Sequence, residues 1–559
     1  MRSSIRKLVQ RRPYAVFTAV AAVVLLALYF RIFSFGYYSD DFDNIPGAQK
    51  SFSQVVLLTL EDDNPIPQYF FRPVGWVTFW VVDKAGLESP AVHYGINLAL
   101  HLANSVLLFL LILQFFPEPS YKQLLAAMLA VLLFTAGHIA AYTVTWVAQR
   151  FDLLALGFSL SALHFAGRYW SGKSLWYAVL SACSFLLALL SKEIAFILPA
   201  ILIIWFVLVR SQFSDREFSI PRLVMTAAMF GALAFIILPL RAAVGVASST
   251  MYPKLLSIKS VVVSFALSVF ELLQPYRVIT FYNLFGEGTT PQLILIPALS
   301  IVFIVLWKVL FWKAFRGALL SGAAIIGGVI IASCAIFGFM GWVHPRLDYL
   351  PAAFLVLALA VPLVGTASEA ARSVFIILCV FIALQFGSAW AVTSYYSRVH
   401  EGNKRMLYSR NNIPDEYTVI GREFNRQWHM RNGGTLFGAM YSEADPMYEA
   451  VWQCGSEPPF LAAWENPRAL TLTNHRPNRF FQIQTPEGWT NIAPKNEVFS
   501  FSGYRIRVAR TARGNRPQDL IVEFDSSWLQ QHRLFIDNGR TFEQINRKEE
   551  RTSPVQSPE

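Results

Sequence analysis

The chain has 559 residues, 55% of them hydrophobic and 15% charged, with a mean hydropathy of +0.43. Soluble domains carry about a quarter charged residues, so an ordinary soluble enzyme is excluded. The formal net charge of +11 sits in short connections between apolar runs, where the positive-inside bias puts it, and so reports topology rather than a nucleic-acid partner.

Apolar runs of about 17 to 23 residues are each long enough to cross a hydrocarbon core of about 30 Å as a helix. Arg2, Arg6, Lys7, Arg11 and Arg12 precede the first run, Tyr14 to Phe33. That run is too long for a signal-peptide core and no small-x-small cleavage site follows, so it reads as a retained anchor with a cytoplasmic N-terminus. Further spans fall near 93–116, 123–141, 152–169, 175–191, 194–210, 223–240, 292–310, 317–340, 347–366 and 373–393, about eleven crossings in all. The connections placed inside carry Arg168 and Lys173, then Arg210, Arg216 and Arg222, then Lys308, Lys313 and Arg316, and finally Arg372. Residues 260–274, with their serines and Glu271, read as an interfacial or re-entrant helix in a long outer loop.

The first outer loop, 34–92, is rich in proline and aromatic residues and suggests short interfacial helices. After residue 393 the composition turns polar, and alternating stretches at 480–484, 504–508 and 520–524 read as strands. The expected organisation is an α-helical polytopic membrane domain over 1–393, a mixed or β-rich extracytoplasmic domain over 394–546 and a disordered tail over 547–559. Cys183, Cys334 and Cys379 lie inside apolar runs and leave Cys454 alone, so neither a disulfide framework nor a CxxC metal site is available.

The sharpest local feature is Tyr37-Tyr38-Ser39-Asp40-Asp41-Phe42-Asp43-Asn44, with three carboxylates within four residues just beyond the first span. Transfer of a sugar to a hydroxyl needs a base for the acceptor proton, which a carboxylate near cations or a divalent metal can supply. A solvated or turn-forming cluster is the plain alternative. In extended chain Asp41 and Asp43 face one way and Asp40 the other. His93, Asn97, His101 and Asn104 follow at helical spacings and line one face. Such a stripe either borders a cavity, at its outer end His93 and Asn97, or bonds neighbouring helices. His93 and His101 are about 12 Å apart along a helix and cannot share one metal.

Two outer connections, Trp146-Val147-Ala148-Gln149-Arg150-Phe151-Asp152 and Ser191-Lys192-Glu193, are short and charged. Arg241 and Arg346 add cations suited either to a phosphate, through the planar guanidinium fork, or to snorkelling at the interface. The Walker A, GxGxxG, HExxH and GxSxG patterns are all absent, so an activated, membrane-borne donor fits better than a soluble nucleotide.

Four stretches in shared order resemble the GT-C superfamily of membrane glycosyltransferases, and within it the protein O-mannosyltransferase-like branch with transmembrane, tetratricopeptide-containing mannosyltransferases. They are Asp40-Asp41; Phe71-Arg72-Pro73-Val74 with His93 to Asn104; His138 with Trp146 to Leu154; and Lys192-Glu193 with Arg346-Leu347-Asp348-Tyr349-Leu350-Pro351. The resemblance implies a GT-C-like bundle, a polyprenyl-phosphate-linked sugar donor, a hydroxyl-bearing acceptor and inverting transfer at the outer face. It makes Asp40 and Asp41 the catalytic candidates, or ligands of a divalent metal, and gives Arg150, Lys192 and Arg346 the donor phosphate, to which Arg241 is added by its place at the outer end of a span. Asp43, His93, Asn97, His138, Asp152, Glu193 and Tyr349 would line the substrate cavity. The expected location is a bacterial cell or inner membrane, with membrane lipids as surroundings. The chain departs from the branch at Ile139, where proline is common, and in lacking tetratricopeptide repeats. A transporter or flippase of lipid-linked sugars is one rival, calling for midplane acids and repeat symmetry that this sequence does not display. A non-catalytic envelope assembly protein, dependent on the C-terminal domain rather than the Asp pair, is another.

Overall fold

The computed structural model describes residues 2–36, 41, 52–53, 71–87, 89–116, 118–203, 205, 219–243, 348–366 and 372–409, and strands between 418 and 544. The expected spans 292–310 and 317–340, the segment 260–274 and the tail 547–559 lie outside the described residues. The chain divides into two compact units, Met1–Ser34 with Asn44–Tyr396, and Phe35–Asp43 with Ser397–Glu559.

In the first unit, prolines set the helix starts. α2 (Pro13–Tyr29), α3 (Pro73–Lys84) and α4 (Pro90–Leu113) each begin on one, because its fixed φ suits the first turn and its missing N–H has no partner to lose there. A short helix, α1 (Arg2–Arg11), precedes them, separated from α2 by Arg12. α5 (Tyr121–Thr135) begins at a capping box: Gln123 N–H donates to Ser120 Oγ at 3.3 Å, and Ser120 N–H donates to Gln123 Oε1 at 2.8 Å. α6 (His138–Val144), α7 (Arg150–Trp170) and α8 (Trp176–Ser191) follow, then Glu193–Ile203, which opens as a 3-10 turn. α9 (Ile220–Ala243), α10 (Tyr349–Thr366) and α11 (Arg372–Ser409) complete the described helices. α7 stops where Gly172 takes φ +85° and Lys173 N–H reaches back to Arg168 O at 3.3 Å, a left-handed terminus that glycine accepts without strain.

Among the described residues Pro13–Ser34, Pro90–Leu113 and Ile220–Leu240 are long and apolar enough to cross a membrane, and the bent pair α5–α6 adds a fourth if it counts as one span. The chain is an integral membrane protein. Val23, Phe235 and Ile236 stand exposed on these helices, as side chains facing lipid do. In that solvent apolar burial does not drive helices together, so close packing and interhelical hydrogen bonds must. Leu108, Ile112, Val131, Leu156, Leu160 and Phe354 belong to one core. Phe17 stacks on Phe109 with centroids 4.5 Å apart. Gly157 lets α4 approach α7, since a Cβ there would lie 2.7 Å from Asn104 Oδ1.

The expected span over 123–141 is built of two helices meeting at 52°. Gly137 leaves the helical path with ψ 143°, which releases backbone groups that lipid cannot satisfy. Side chains from other helices take them up: His138 N–H donates to Gln385 Oε1 at 3.0 Å, and Thr135 O faces His101 Nε2 at 3.1 Å. The sequence shows an uninterrupted apolar run there because the break is compensated from α4 and α11. α11 also runs past its expected end at 393, to Ser409, since helix-forming residues such as Glu401, Lys404 and Arg405 continue beyond the apolar stretch.

The second unit holds the described strands β1 (Thr418–Ile420), β2 (Thr435–Leu436), β3 (Phe460–Asn466), β4 (Ala469–Asn474), β5 (Gln482–Thr485), β6 (Gly488–Asn491), β7 (Val498–Phe501), β8 (Tyr504–Ala512), β9 (Arg516–Phe524), β10 (Leu534–Asp537) and β11 (Phe542–Gln544). β3-β4-β9-β8-β7 form an antiparallel sheet, β11-β10-β1-β2 a mixed one with parallel β10–β1 and β1–β2 pairs, and β5–β6 a hairpin. On β8, Arg505 and Arg507 reach the cross-strand Glu523 at 3.8 and 3.4 Å. These exposed pairs contribute little.

Candidate functional site

The two ends of the helical unit differ in charge. One end is marked by the contacts Arg6–Tyr121, Gln114–His164 and Arg222–Tyr169. It carries Lys7, Arg11, Arg12, Lys122, Arg168 and Lys173 as well, with Glu118 as its single acid among the described residues. The opposite end gathers Arg72, Asp83, His93, Arg150, Asp152, Lys192 and Glu193, acids and bases intermixed.

Arg150 opens α7 and is fully buried. Its Nε donates to Asn97 Oδ1 at 3.1 Å and its Nη2 to His93 O at 3.1 Å and His93 Nδ1 at 3.0 Å. The guanidinium also stands 4.2 Å from the Phe79 ring centroid, a favourable cation–π position. Arginine only donates, so His93 Nδ1 accepts and the ring proton sits on Nε2, 3.4 Å from Asp83 Oδ1. Asp83, His93 and Arg150 thus tie α3, α4 and α7 together. Asn97 Nδ2 donates to Trp146 O at 3.0 Å and Val147 O at 3.3 Å, carbonyls of the irregular stretch between α6 and α7.

Deeper on the same stripe, His101 Nε2 faces a carbonyl, Thr135 O, and must donate. Its Nδ1 therefore accepts from the Tyr349 hydroxyl at 2.7 Å. Asn104 Nδ2 donates to Tyr349 Oη at 3.2 Å and Leu153 O at 2.9 Å. The polar stripe of α4 therefore secures the broken backbone on either side of α6. His101→Leu strips the donor from a buried carbonyl and is expected to cost about 1–3 kcal/mol, measured by unfolding in detergent. Adding Tyr349→Phe to that variant is expected to cost less than Tyr349→Phe alone, because the shared hydrogen bond is already gone.

A second cluster surrounds Phe151. Lys192, at the end of α8, donates from Nζ to Asp152 Oδ2 at 2.5 Å. Arg72, just before α3, binds Glu193 through both arms of its fork, Nε reaching Oε2 at 3.1 Å and Nη2 reaching Oε1. The Arg72 guanidinium lies 5.3 Å from the Phe151 ring centroid, and that ring packs so closely on α3 that a Cβ at Gly75 would overlap it. Side-chain exposure is 12% and 23% for Arg72 and Glu193 but 7% and 2% for Lys192 and Asp152, so the first pair reaches outward. Burial pulls the Lys192 ammonium below the usual lysine range, with Asp152 as the main opposing influence.

Of the residues singled out by sequence, His93, Asn97 and Arg150 share one cluster, and Asp152, Lys192 and Glu193 share the next. Tyr349 joins His101 and Asn104. His138 stands apart, its Nδ1 2.9 Å from Gln385 Oε1. Asp41 is fully buried and belongs to the second unit. Asp40, Asp43 and Arg346 lie outside the described residues, as does the side chain of Arg241 in α9. Arg72, Asp83 and Gln385 were not expected in the site. Asp83 and Gln385 carry a usable signal, a polar residue amid apolar neighbours in 73–84 and 375–394. Among the described residues no group of three or more His, Cys, Asp or Glu side chains is placed to hold a metal ion.

No protein-family model matches the sequence, and no curated protein matches it. Among solved structures it is similar to the archaeal oligosaccharyltransferase AglB from Archaeoglobus fulgidus in complex with an inhibitory peptide and a dolichol-phosphate, at TM-score 0.42 and 14% identity over 76% of this chain. The oligosaccharyltransferase of the same organism in the apo form scores 0.40 at 12% identity over 76% of this chain. In both cases the chain spans 64% of the length of the archaeal protein. ArnT from Cupriavidus metallidurans bound to undecaprenyl phosphate scores 0.34 at 14% identity, with 78% of this chain and 87% of that chain covered.

Proposed function

We propose that the protein is a GT-C-type glycosyltransferase that moves a sugar from a polyprenyl-phosphate donor to a hydroxyl acceptor at the outer face of the membrane, with inversion. One observation carries the reading. Motif residues far apart in sequence meet in one polar end of the helical unit, as Arg72 with Glu193, Lys192 with Asp152, and Arg150 with His93 and Asn97, and deeper along the same stripe as Tyr349 with His101 and Asn104. Charges at membrane depth are expensive and persist where a polar ligand or reaction needs them.

In this reading Arg150, Lys192, Arg241 and Arg346 supply the positive field for the donor phosphate, Arg150 and Lys192 from within the helix packing. The acceptor oxygen attacks the anomeric carbon, the bond from that carbon to the phosphate oxygen breaks, and the electron pair leaves with the phosphate. A carboxylate of Asp40 or Asp41 takes the acceptor proton. A divalent metal held by these acids would further acidify the acceptor hydroxyl. Because the leaving group is already a phosphate, little general-acid help is required.

The test is incubation of the purified protein in lipid with polyprenyl-phosphate sugars and a panel of hydroxyl acceptors. Sugar appearing on an acceptor, with inverted anomeric configuration, is the expected result. Donor crossing the bilayer intact, with no transfer to any acceptor, would instead identify a flippase.

A further inference from the structure

α1 is not a continuation of the first span. Arg12, at φ −136° and ψ 56°, and Pro13 separate it from α2. Its Val9 is buried in the core of the helical unit, while Arg6, Lys7, Leu8 and Arg11 are exposed. The Arg6 guanidinium stands 5.6 Å from the Tyr121 ring centroid, which brings α1 beside the exposed Lys122 at the start of α5. Lys7 and Arg11 are four residues apart and so share a face. Next to them Leu8 is 52% exposed, and Tyr14, at the mouth of the first span, is 47% exposed.

Cations flanked by exposed apolar and aromatic side chains, beside a membrane span, suit a helix lying in the headgroup layer. Among the described residues this end carries one acid, Glu118, and α1 with its flank adds Arg6, Lys7, Arg11 and Arg12, so cations are in excess among those residues. The complement is anionic and membrane-borne. We propose that α1 forms a docking surface for anionic phospholipid headgroups, which hold it in the headgroup layer at the cation-rich end. This requires nothing of the glycosyltransferase reading.

The experiment compares amide hydrogen exchange of residues 2–11 in the full-length protein, in nanodiscs of phosphatidylcholine alone and of phosphatidylcholine with phosphatidylglycerol. Phosphatidylglycerol is expected to slow exchange across α1, and high salt is expected to abolish the difference in the unmodified protein. Each basic residue near an anionic surface favours docking about fivefold, so Lys7→Gln with Arg11→Gln and Arg12→Gln is expected to weaken it about a hundredfold. Exchange across α2 reports whether that variant is inserted. Equal exchange of α1 in both lipids, or lipid-dependent protection unaffected by salt, overturns the proposal.

Discussion

Asp40→Asn and Asp41→Asn are each expected to leave the protein folded and inserted, and at least one is expected to abolish transfer, with a loss of about 10²–10⁴-fold in rate. Asparagine keeps the shape of aspartate and its capacity to accept a hydrogen bond but cannot take up the acceptor proton. Asp41 has no solvent-exposed surface, so a purely structural role would show as a lower unfolding midpoint with unchanged activity per folded molecule. A catalytic role shows the reverse. The measurement is the initial rate with a lipid-linked donor, normalised to monodisperse protein. Wild-type rates in both variants would remove the pair from the chemistry.

The second large effect concerns Lys192 and Asp152, which meet at 2.5 Å with little exposure. Lys192→Met leaves a carboxylate buried without its counter-charge, and its other oxygen, Oδ1, has no hydrogen-bond partner among the described residues. A loss of about 3–5 kcal/mol is expected. Replacing both, as Lys192→Met with Asp152→Leu, is expected to restore most of that stability, because neither desolvated charge remains. Unfolding titrations of the four forms give the coupling directly. The depressed Lys192 pKa adds a pH signature. The folded protein holds this proton less tightly than the unfolded chain, so the contribution of Lys192 to stability rises with pH between its lowered value and the ordinary lysine value. Additive losses in the two single variants would show that the pair is not coupled.

Much of the helical unit is legible in sequence because its rules are local. Pro13, Pro73 and Pro90 start helices, Ser120 with Gln123 caps one, and the 4, 4, 3 spacing of His93, Asn97, His101 and Asn104 puts them on one face whatever that face meets. What the stripe meets is not local. Its alternatives, a cavity border or interhelical hydrogen bonds, differ only in what lies across from α4. The structure brings Trp146 O, Val147 O, Thr135 O, Leu153 O and Arg150 there. The break at Gly137 is not legible in sequence for the same reason: its compensating partners, His101 and Gln385, come from positions far along the chain.

Hydropathy and local pattern establish that this is a membrane protein, that several helices begin where they do, and that charged residues collect in short connections between apolar runs. Hydrophobicity, proline geometry and helical periodicity act over a few residues and can be read from a line of text. Which polar side chain meets which is a matter of the packed helices. Arg72 with Glu193 and His101 with Tyr349 are 121 and 248 residues apart, and a hydrogen bond depends on ångströms in space that sequence separation does not encode.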